Sequence, residues 1–224
     1  MSEIHETWWS LISRATSGES TDRAEFAKRY TPVIRAYLAK RWRQSTWIAF
    51  LDDALQEVFV ECLKPNGALE RVDPERAKFR TYLYGIVRNV ALRIEERHRK
   101  PHNTEPELAL AGVPTDDSSL SKAFDREWAR SIMKEAACLQ VERAEQKGAE
   151  AMLRVEILRL RFQEGLPIRQ VAAKLNLDAT HTHRQYAVAR KEFREALFDT
   201  VQFHHPGSHA EIEQECADLL TLLS

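Results

Sequence analysis

The residue types best suited to chemistry are concentrated in the stretch FRTYLYGIVRNVALRIEERHRK, which runs from Phe79 to Lys100. Two tyrosines occupy its first turns, and a basic cluster begins at Arg93. Arginine and lysine neutralise phosphates, and exposed aromatic rings stack on unpaired bases for about 1–3 kcal/mol each. Basic residues interleaved with aromatic ones therefore suit single-stranded or melting DNA better than an intact duplex.

The periodicity of this stretch predicts one helix with distinct faces. The apolar stripe, which is expected to face a core, consists of Phe79, Leu83, Ile86, Val87, Val90 and Ile94. Tyr82 and Asn89 lie off this stripe, and a separate line at four-residue steps is formed by Arg80, Tyr84 and Arg88. The alternative interpretation is an ordinary solvated face whose tyrosine rings cover the edge of the core.

A second group of candidates lies between Gly165 and Leu197. Pro167 suits the first turn of a short helix, and Asn176 suits a left-handed residue in the tight turn before a longer helix. This order predicts a helix-turn-helix, whose second helix places its N-terminal residues at base edges in the major groove, although a plain helical hairpin is the alternative. The candidates are Thr180, His181, His183 and Arg184 for bases, with Arg190 and Lys191 for phosphates.

Composition favours an all-α protein of one or two domains. The chain has 224 residues, 43% of them hydrophobic and 30% charged, with only 7 glycines and 8 prolines. It has no run of about 18 apolar residues and no signal-peptide pattern at its N-terminus, so we expect a cytoplasmic protein without membrane contact. The net charge of -1 argues weakly against a nucleic-acid binder, so any DNA contact must use local basic patches.

Breaks in the helical pattern divide the chain. One helix is expected from Asp22 to Arg43, with a kink or a helix start near Pro32, and a second from Asp52 to Leu63. Residues 101–121 contain three prolines, four acids and no lysine or arginine, which predicts a linker. The predicted regions are an N-terminal extension (1–21), a first helical domain (22–100), the linker (101–121), a second helical domain (122–200) and a C-terminal extension (201–224).

These features together resemble bacterial RNA polymerase sigma factors of the sigma-70 family, of the compact extracytoplasmic-function (ECF) type. The resemblance covers roughly residues 22–100 and 125–197. It is carried by DDALQEVF (52–59), DPER (73–76), FRTYLYGIVRNVA (79–91) and the segment from Glu164 to Arg190. The first domain is thus similar to a sigma-2 helical bundle and the second to a sigma-4 helix-turn-helix domain, joined by an acidic, proline-containing linker.

For the first domain, the resemblance implies docking on core RNA polymerase and recognition and melting of the promoter −10 element. The DDALQEVF helix is similar to the family's polymerase-docking surface, through Asp52, Asp53, Gln56 and Glu57. Tyr82 stands where the family commonly has tryptophan, and Asn89 matches a position that faces the unpaired strand. The residues assigned to −10 DNA are Arg76, Lys78, Arg80, Tyr82, Tyr84, Arg88, Asn89, Arg93 and Arg97.

For the second domain, the resemblance implies recognition of the −35 duplex through Thr180, His181, His183, Arg184, Arg190 and Lys191. The linker is similar in placement to the family's connector, which threads the polymerase toward its active-site cleft. The resemblance implies a non-enzymatic protein, with no cofactor or metal, whose partners are core RNA polymerase and promoter DNA. A near-neutral charge fits this role because polymerase supplies much of the electrostatics.

Two other functions remain open from the residues alone. The second domain could serve a stand-alone transcriptional regulator that binds duplex DNA, although such a protein has no need of DDALQEVF or an aromatic melting helix. An enzyme would use a zinc site built from His204, His205, His209 and Cys216, but a histidine-containing turn is the simpler interpretation. The three cysteines are far apart, which predicts free thiols.

The two ends of the chain carry further apolar residues. Ser208 and Glu211 predict a capping box for a last helix, whose apolar stripe comprises Ile212, Cys216, Leu219, Leu220 and Leu223. This stripe either packs back on the protein or binds a regulator, in place of a separate anti-sigma factor. The cluster of Trp8, Trp9, Leu11 and Ile12 is expected either to cover part of the protein as a lid or simply to belong to a helix core.

Overall fold

A computed structural model describes residues 8–16, 20–71, 79–98, 117–205 and 207–223. Every α or β element within these ranges is a helix, so the all-α prediction is confirmed. The helices are α1 (Trp8–Thr16), α2 (Ser20–Arg41), α3 (Leu51–Leu63), α4 (Phe79–His98), α5 (Asp117–Lys147), α6 (Ala149–Phe162), α7 (Ile168–Lys174), α8 (Ala179–His204) and α9 (His209–Thr221), with 3₁₀ turns at Thr46–Phe50 and Leu69–Arg71.

Contacts divide the chain into two compact units. The first comprises residues 1–131, 203–206 and 217–224, and the second comprises 132–202 and 207–216. Helix α5 begins at Asp117, within the range predicted as linker, because Leu120 is fully buried and draws that turn into a core. The predicted functional limits of the two domains stay predictions, as does the linker from residue 101 to 116, which lies outside the described residues.

The core of the first unit is built around α2 and α4. Helix α2 runs through Pro32 instead of starting there, because it buries Phe26 and Tyr30 before the proline and Val33 and Ile34 after it. Burial on both sides outweighs the cost of about 3 kcal/mol for proline inside a helix. In α4, the predicted stripe is confirmed in full, since all of its six residues are buried, Phe79, Leu83, Ile86, Val87, Val90 and Ile94.

A buried ion pair joins these two helices. Arg41 at the end of α2 donates to both carboxylate oxygens of Glu95 on α4, with nitrogen–oxygen distances of 2.6 and 2.9 Å. The indole Nε1 of Trp42 donates to the same carboxylate at 2.7 Å. Arg41 and Glu95 are 6% and 5% exposed, so both charges are almost fully desolvated and depend on each other.

The first half of α5 completes the core of the first unit with aromatic rings. Trp128 stacks on Tyr30 with ring centroids 5.7 Å apart, and Phe124 meets Tyr84 edge-on at 5.4 Å. His204, which also belongs to this unit, is buried and lies with its Nδ1 3.1 Å from the hydroxyl of Tyr30. These contacts fix α5 against the face of α4 that carries Tyr84.

The second unit contains the predicted short helix, tight turn and long helix. Asn176 adopts φ 53°, the left-handed conformation predicted for it, and the amide of Leu177 closes the turn on the carbonyl of Ala172 at 2.9 Å. A core of Ile157, Leu160 and Val171 holds α7 against α6. The geometry of this segment is therefore as predicted, while its role in DNA recognition stays a prediction.

The C-terminal helix begins with the predicted capping box. Ser208 and Glu211 exchange hydrogen bonds, from the Ser208 amide to the Glu211 carboxylate at 2.8 Å and from the Glu211 amide to the Ser208 hydroxyl at 3.4 Å. Of the predicted stripe, Ile212 and Leu219 are buried, Cys216 is half-buried, and Leu220 and Leu223 are exposed. The buried members show that part of this stripe packs on the protein.

The remaining features are the burial of the N-terminal apolar cluster and the apolar length of the helices. At the N-terminus, Ile12 is buried, and the side chains of Trp8, Trp9 and Leu11 lie outside the described residues. Within the described ranges, none of the helices has the length and apolar character needed to cross a membrane.

Candidate nucleic-acid interface

The predicted polymerase-docking surface lies on α3. Asp52, Asp53 and Gln56 are exposed, and the two aspartates lie in the first turn, where the helix dipole favours negative charge. Asp52 also pairs with Arg35 at 2.6 Å, a contact that is open to solvent. An acidic, solvated helix face of this kind is suited to a basic partner.

Glu57 differs from the other three residues that are predicted to dock on polymerase. Its side chain is 26% exposed and pairs with Arg97 at 3.3 Å and Arg93 at 3.4 Å, both on α4. One turn further along α3, Glu61 pairs with Arg93 at 3.2 Å. The Lys64 ammonium and then the Arg93 guanidinium lower the pKa of Glu61 below its usual value. Glu57 therefore links α3 to α4 as well as adding charge to the predicted docking surface.

One face of α4 is covered by α5, and we call it the covered line: Arg80, Tyr84 and Arg88. Arg80 lies 3.4 Å from Asp125, and Arg88 lies 3.2 Å from Asp117. The Tyr84 ring packs between Tyr37 and Phe124, with its hydroxyl 3.5 Å from Asp117. Burial, followed by the nearby Tyr37 and Asp117, raises the pKa of Tyr84 to about 12.

The two acids of α5 were missed by sequence reasoning, although a signal for them exists. Arg80 and Arg88 are about two helical turns apart, and so are Asp117 and Asp125. Equal spacing lets two antiparallel helices pair both charges at once. That match identifies a partner only when the two helices are already suspected to pack together.

A second face of α4 borders an open groove of about 440 Å³. The groove is lined by Glu61, Ala68, Thr81, Tyr82, Gly85, Ile86, Asn89, Val90 and Arg93. It therefore brings together Tyr82 and Asn89, the two residues assigned to unpaired bases. Its polar groups lie along an apolar wall, which suits a flat ligand with polar edges.

The position of Tyr82 in this groove is set by the turn after α3. Its hydroxyl donates a hydrogen bond to the carbonyl of Ala68, whose own amide is held by the carbonyl of Glu61 at 2.9 Å. Gly67 makes this turn sterically feasible, because a Cβ there would lie 2.5 Å from the carbonyl oxygen of Lys64. Burial raises the pKa of Tyr82 as well.

The remaining −10 candidates fall into two groups. Arg93 and Arg97 are exposed on the last turns of α4, and both retain solvent access beside their glutamate partners. Ion pairs in such exposed positions are weak, so either arginine can exchange its partner for a phosphate at little cost. Arg76 and Lys78 lie outside the described residues.

The −35 candidates lie in the first half of α8. All six are exposed: Thr180, His181, His183, Arg184, Arg190 and Lys191. Asp178 caps the helix by accepting a hydrogen bond from the His181 amide at 2.8 Å, and Thr182 is fully buried beneath it. Because Thr182 faces inward, His181 and His183 on either side of it face solvent.

The histidines considered for a metal site have other neighbours. Among the described residues there is no group of three or more histidine, cysteine or acidic side chains placed to hold a metal ion. His204 contacts Tyr30, and the His209 ring lies 4.6 Å from the ring of Phe198.

A match to a known protein family falls on the unit that carries α3 and α4. No curated protein matches the chain. Residues 26–100, about a third of the chain, match the family model of Sigma-70 region 2. These residues, which include α3 and α4, are therefore similar to Sigma-70 region 2.

Proposed function

We propose that the protein is an ECF-type sigma factor that binds core RNA polymerase, recognises the promoter −10 and −35 elements and helps to open the DNA. The observation that carries this proposal is the region 2 match over residues 26–100. That range contains both the exposed acids of α3 and the open groove of α4. One small unit thus has a surface for a basic protein partner and a separate surface for bases.

Core polymerase docks on the exposed residues of α3. Asp52, Asp53 and Gln56 face solvent without contributing to the core, so charge reversal there should leave the fold intact. Glu57 is a poorer choice for such a test, because its substitution also removes the contacts to Arg93 and Arg97.

Unpaired bases of the −10 element enter the open groove. The Tyr82 ring supplies a stacking surface, and the Asn89 amide offers both a donor and an acceptor for a base edge. Arg93 and Arg97 contact phosphates, together with Arg76 and Lys78. The covered line, by contrast, already has carboxylate partners from α5, so it holds that helix in place.

The start of α8 reads the −35 duplex. Thr180, His181, His183 and Arg184 lie on its first turns, which is where a recognition helix meets base edges. Arg190 and Lys191 lie further along and neutralise phosphates. The left-handed Asn176 before this helix supports the helix-turn-helix assignment, because it produces the tight turn that the motif needs.

Reconstitution with bacterial core RNA polymerase tests the proposal. The holoenzyme should select a promoter from a random DNA library and produce transcripts from it, whereas core enzyme alone should not. Asp53→Lys should abolish or strongly weaken core binding, while Glu145→Lys, a charge reversal on another exposed acid, should leave it unchanged. Wild-type protein that binds duplex DNA specifically but never binds core enzyme would favour the stand-alone regulator instead.

A further inference from the structure

Gly85 occupies an unusual position in the middle of α4. This helix runs from Phe79 to His98, so Gly85 is more than a turn from either end. Glycine inside a helix is destabilising relative to alanine because it loses more backbone freedom on folding. A glycine at such a site calls for a steric or functional reason.

The described residues supply no steric reason. Among them, a Cβ added at Gly85 would meet no atom within 4 Å, other than its chain neighbours and the backbone of its own helix. The backbone is ordinary helix at this residue, without the positive φ found at Gly148 and Gly165. Gly67 shows the contrast, because a Cβ there would collide with the backbone.

The location of Gly85 indicates a reason outside the fold. Gly85 lines the open groove, three residues after Tyr82 and four before Asn89. Residues at these spacings are neighbours on a helix surface, so Gly85 lies between the aromatic ring and the amide. Without a side chain, the helix backbone itself forms the floor of the groove at this point.

We propose that Gly85 determines the size of this groove and so allows one unpaired nucleobase to lie against the α4 backbone between Tyr82 and Asn89. The inference rests on the proposed function and adds a specificity-determining residue to it. A nucleobase fits the chemistry, since the Tyr82 ring offers stacking, the Asn89 amide pairs with a polar edge, and Arg93 lies beyond for a phosphate. A larger side chain at Gly85 would occupy the place of the base.

Substitution by alanine and by leucine separates this role from a role in folding. Gly85→Ala should raise the melting temperature, on the order of 2 °C, because alanine favours the helix and has room. The same change should weaken binding of a single-stranded DNA by the holoenzyme about threefold, and Gly85→Leu should weaken it about tenfold or more, as expected for lost base stacking. Glu96→Ala and Glu96→Leu, at an exposed α4 position outside the groove, should change neither quantity.

The probe is the non-template strand of the promoter recovered by selection, carrying 2-aminopurine at successive positions. With wild-type holoenzyme, fluorescence should fall sharply at one position, where the base stacks on Tyr82. The change should be smaller with Gly85→Ala and absent with Gly85→Leu.

The outcomes distinguish this inference from the proposed function. Absence of wild-type core binding overturns the proposed function before Gly85 is tested. Normal core binding by all variants, with unchanged strand affinity and unchanged 2-aminopurine signal in Gly85→Leu, overturns the role of Gly85. If Gly85→Leu fails to fold, Gly85→Ala decides: higher stability with weaker strand binding supports the role, and higher stability with unchanged binding overturns it.

Discussion

The covered line and the open groove of α4 contain the same kinds of residue but differ in their surroundings. Arg80, Tyr84 and Arg88 face α5, which supplies Asp125 and Asp117 to the arginines and an aromatic cage to the tyrosine. Tyr82 and Asn89 border a groove that the described residues leave open. Tyrosine and arginine on a helix therefore predict nucleic-acid contact only where no neighbouring element already satisfies them.

The largest effect is expected from breaking the buried ion pair between Arg41 and Glu95, which joins α4 to α2. Glu95→Ala leaves Arg41 buried without its carboxylate, which should lower the free energy of unfolding by about 3–5 kcal/mol. Chemical denaturation followed by circular dichroism measures this loss. Glu96→Ala, at the exposed neighbouring position, should cost less than about 0.5 kcal/mol. Equal stability of the two variants would mean that the buried pair does not hold α4 in place.

The next effect separates the open groove from the covered line directly. Tyr82→Ala should reduce affinity of the holoenzyme for the non-template strand by about 1–3 kcal/mol, because a stacking surface is lost. Tyr82→Phe keeps the ring and loses only the hydrogen bond to Ala68, so strand binding should largely survive.

The matched change on the other face is Tyr84→Phe, which should leave strand binding unchanged, since the Tyr84 ring is caged by Tyr37 and Phe124. Strand affinities measured by fluorescence anisotropy compare these variants. A larger loss for Tyr84→Phe than for Tyr82→Ala would reverse the assignment of the two faces.

A smaller effect is expected at the ion pairs of the covered line. Asp117→Asn removes a charge pair that is largely exposed, so stability should fall by no more than about 1 kcal/mol. Strand binding should stay constant or increase, because Arg88 becomes available to a phosphate. Thermal unfolding and strand affinity at low salt provide the measurements. A marked loss of strand binding would indicate that Asp117 supports DNA binding, a role that its pairing with Arg88 does not explain.

The smallest effect is an alkaline titration. The folded pKa of Tyr84 is about 12, above the value of about 10 for an unfolded tyrosine. The neutral phenol is thus the form that folding favours, so this contribution to stability is fully present below pH ~10 and is lost as pH rises through the folded pKa. Phenolate absorbance should show a transition near pH 12 that Tyr84→Phe removes. Tyr82→Phe serves as the control, and a Tyr84 transition near pH ~10 would contradict its burial.

The sequence predicted those features that depend on local spacing. The buried stripe of α4, the left-handed Asn176 and the Ser208–Glu211 capping box all follow from residues within a few turns of one another. The region 2 resemblance also located Tyr82 and Asn89, which the structure places in one groove.

Contacts between distant segments could not be predicted in this way. Glu57 was predicted only as part of the docking surface, yet it also pairs with Arg97, 40 residues further along the chain. Asp117 was expected in a linker, yet it begins a helix that covers Arg88. Charge and periodicity show that a residue needs a partner, but only the packing of helices decides which partner it obtains.

The contact between Tyr30 and His204 has a consequence for the order of folding. These two residues are 174 positions apart, yet both belong to the first compact unit. A chain that emerges from the ribosome can form α2, α3 and α4 early, but it cannot close this aromatic cluster until residue 204 has been synthesised. Contacts of such long sequence separation form slowly because they carry a large loop-closure entropy. Tyr30 and Trp128 therefore lack their contacts with His204 until residue 204 has been synthesised, near the end of translation.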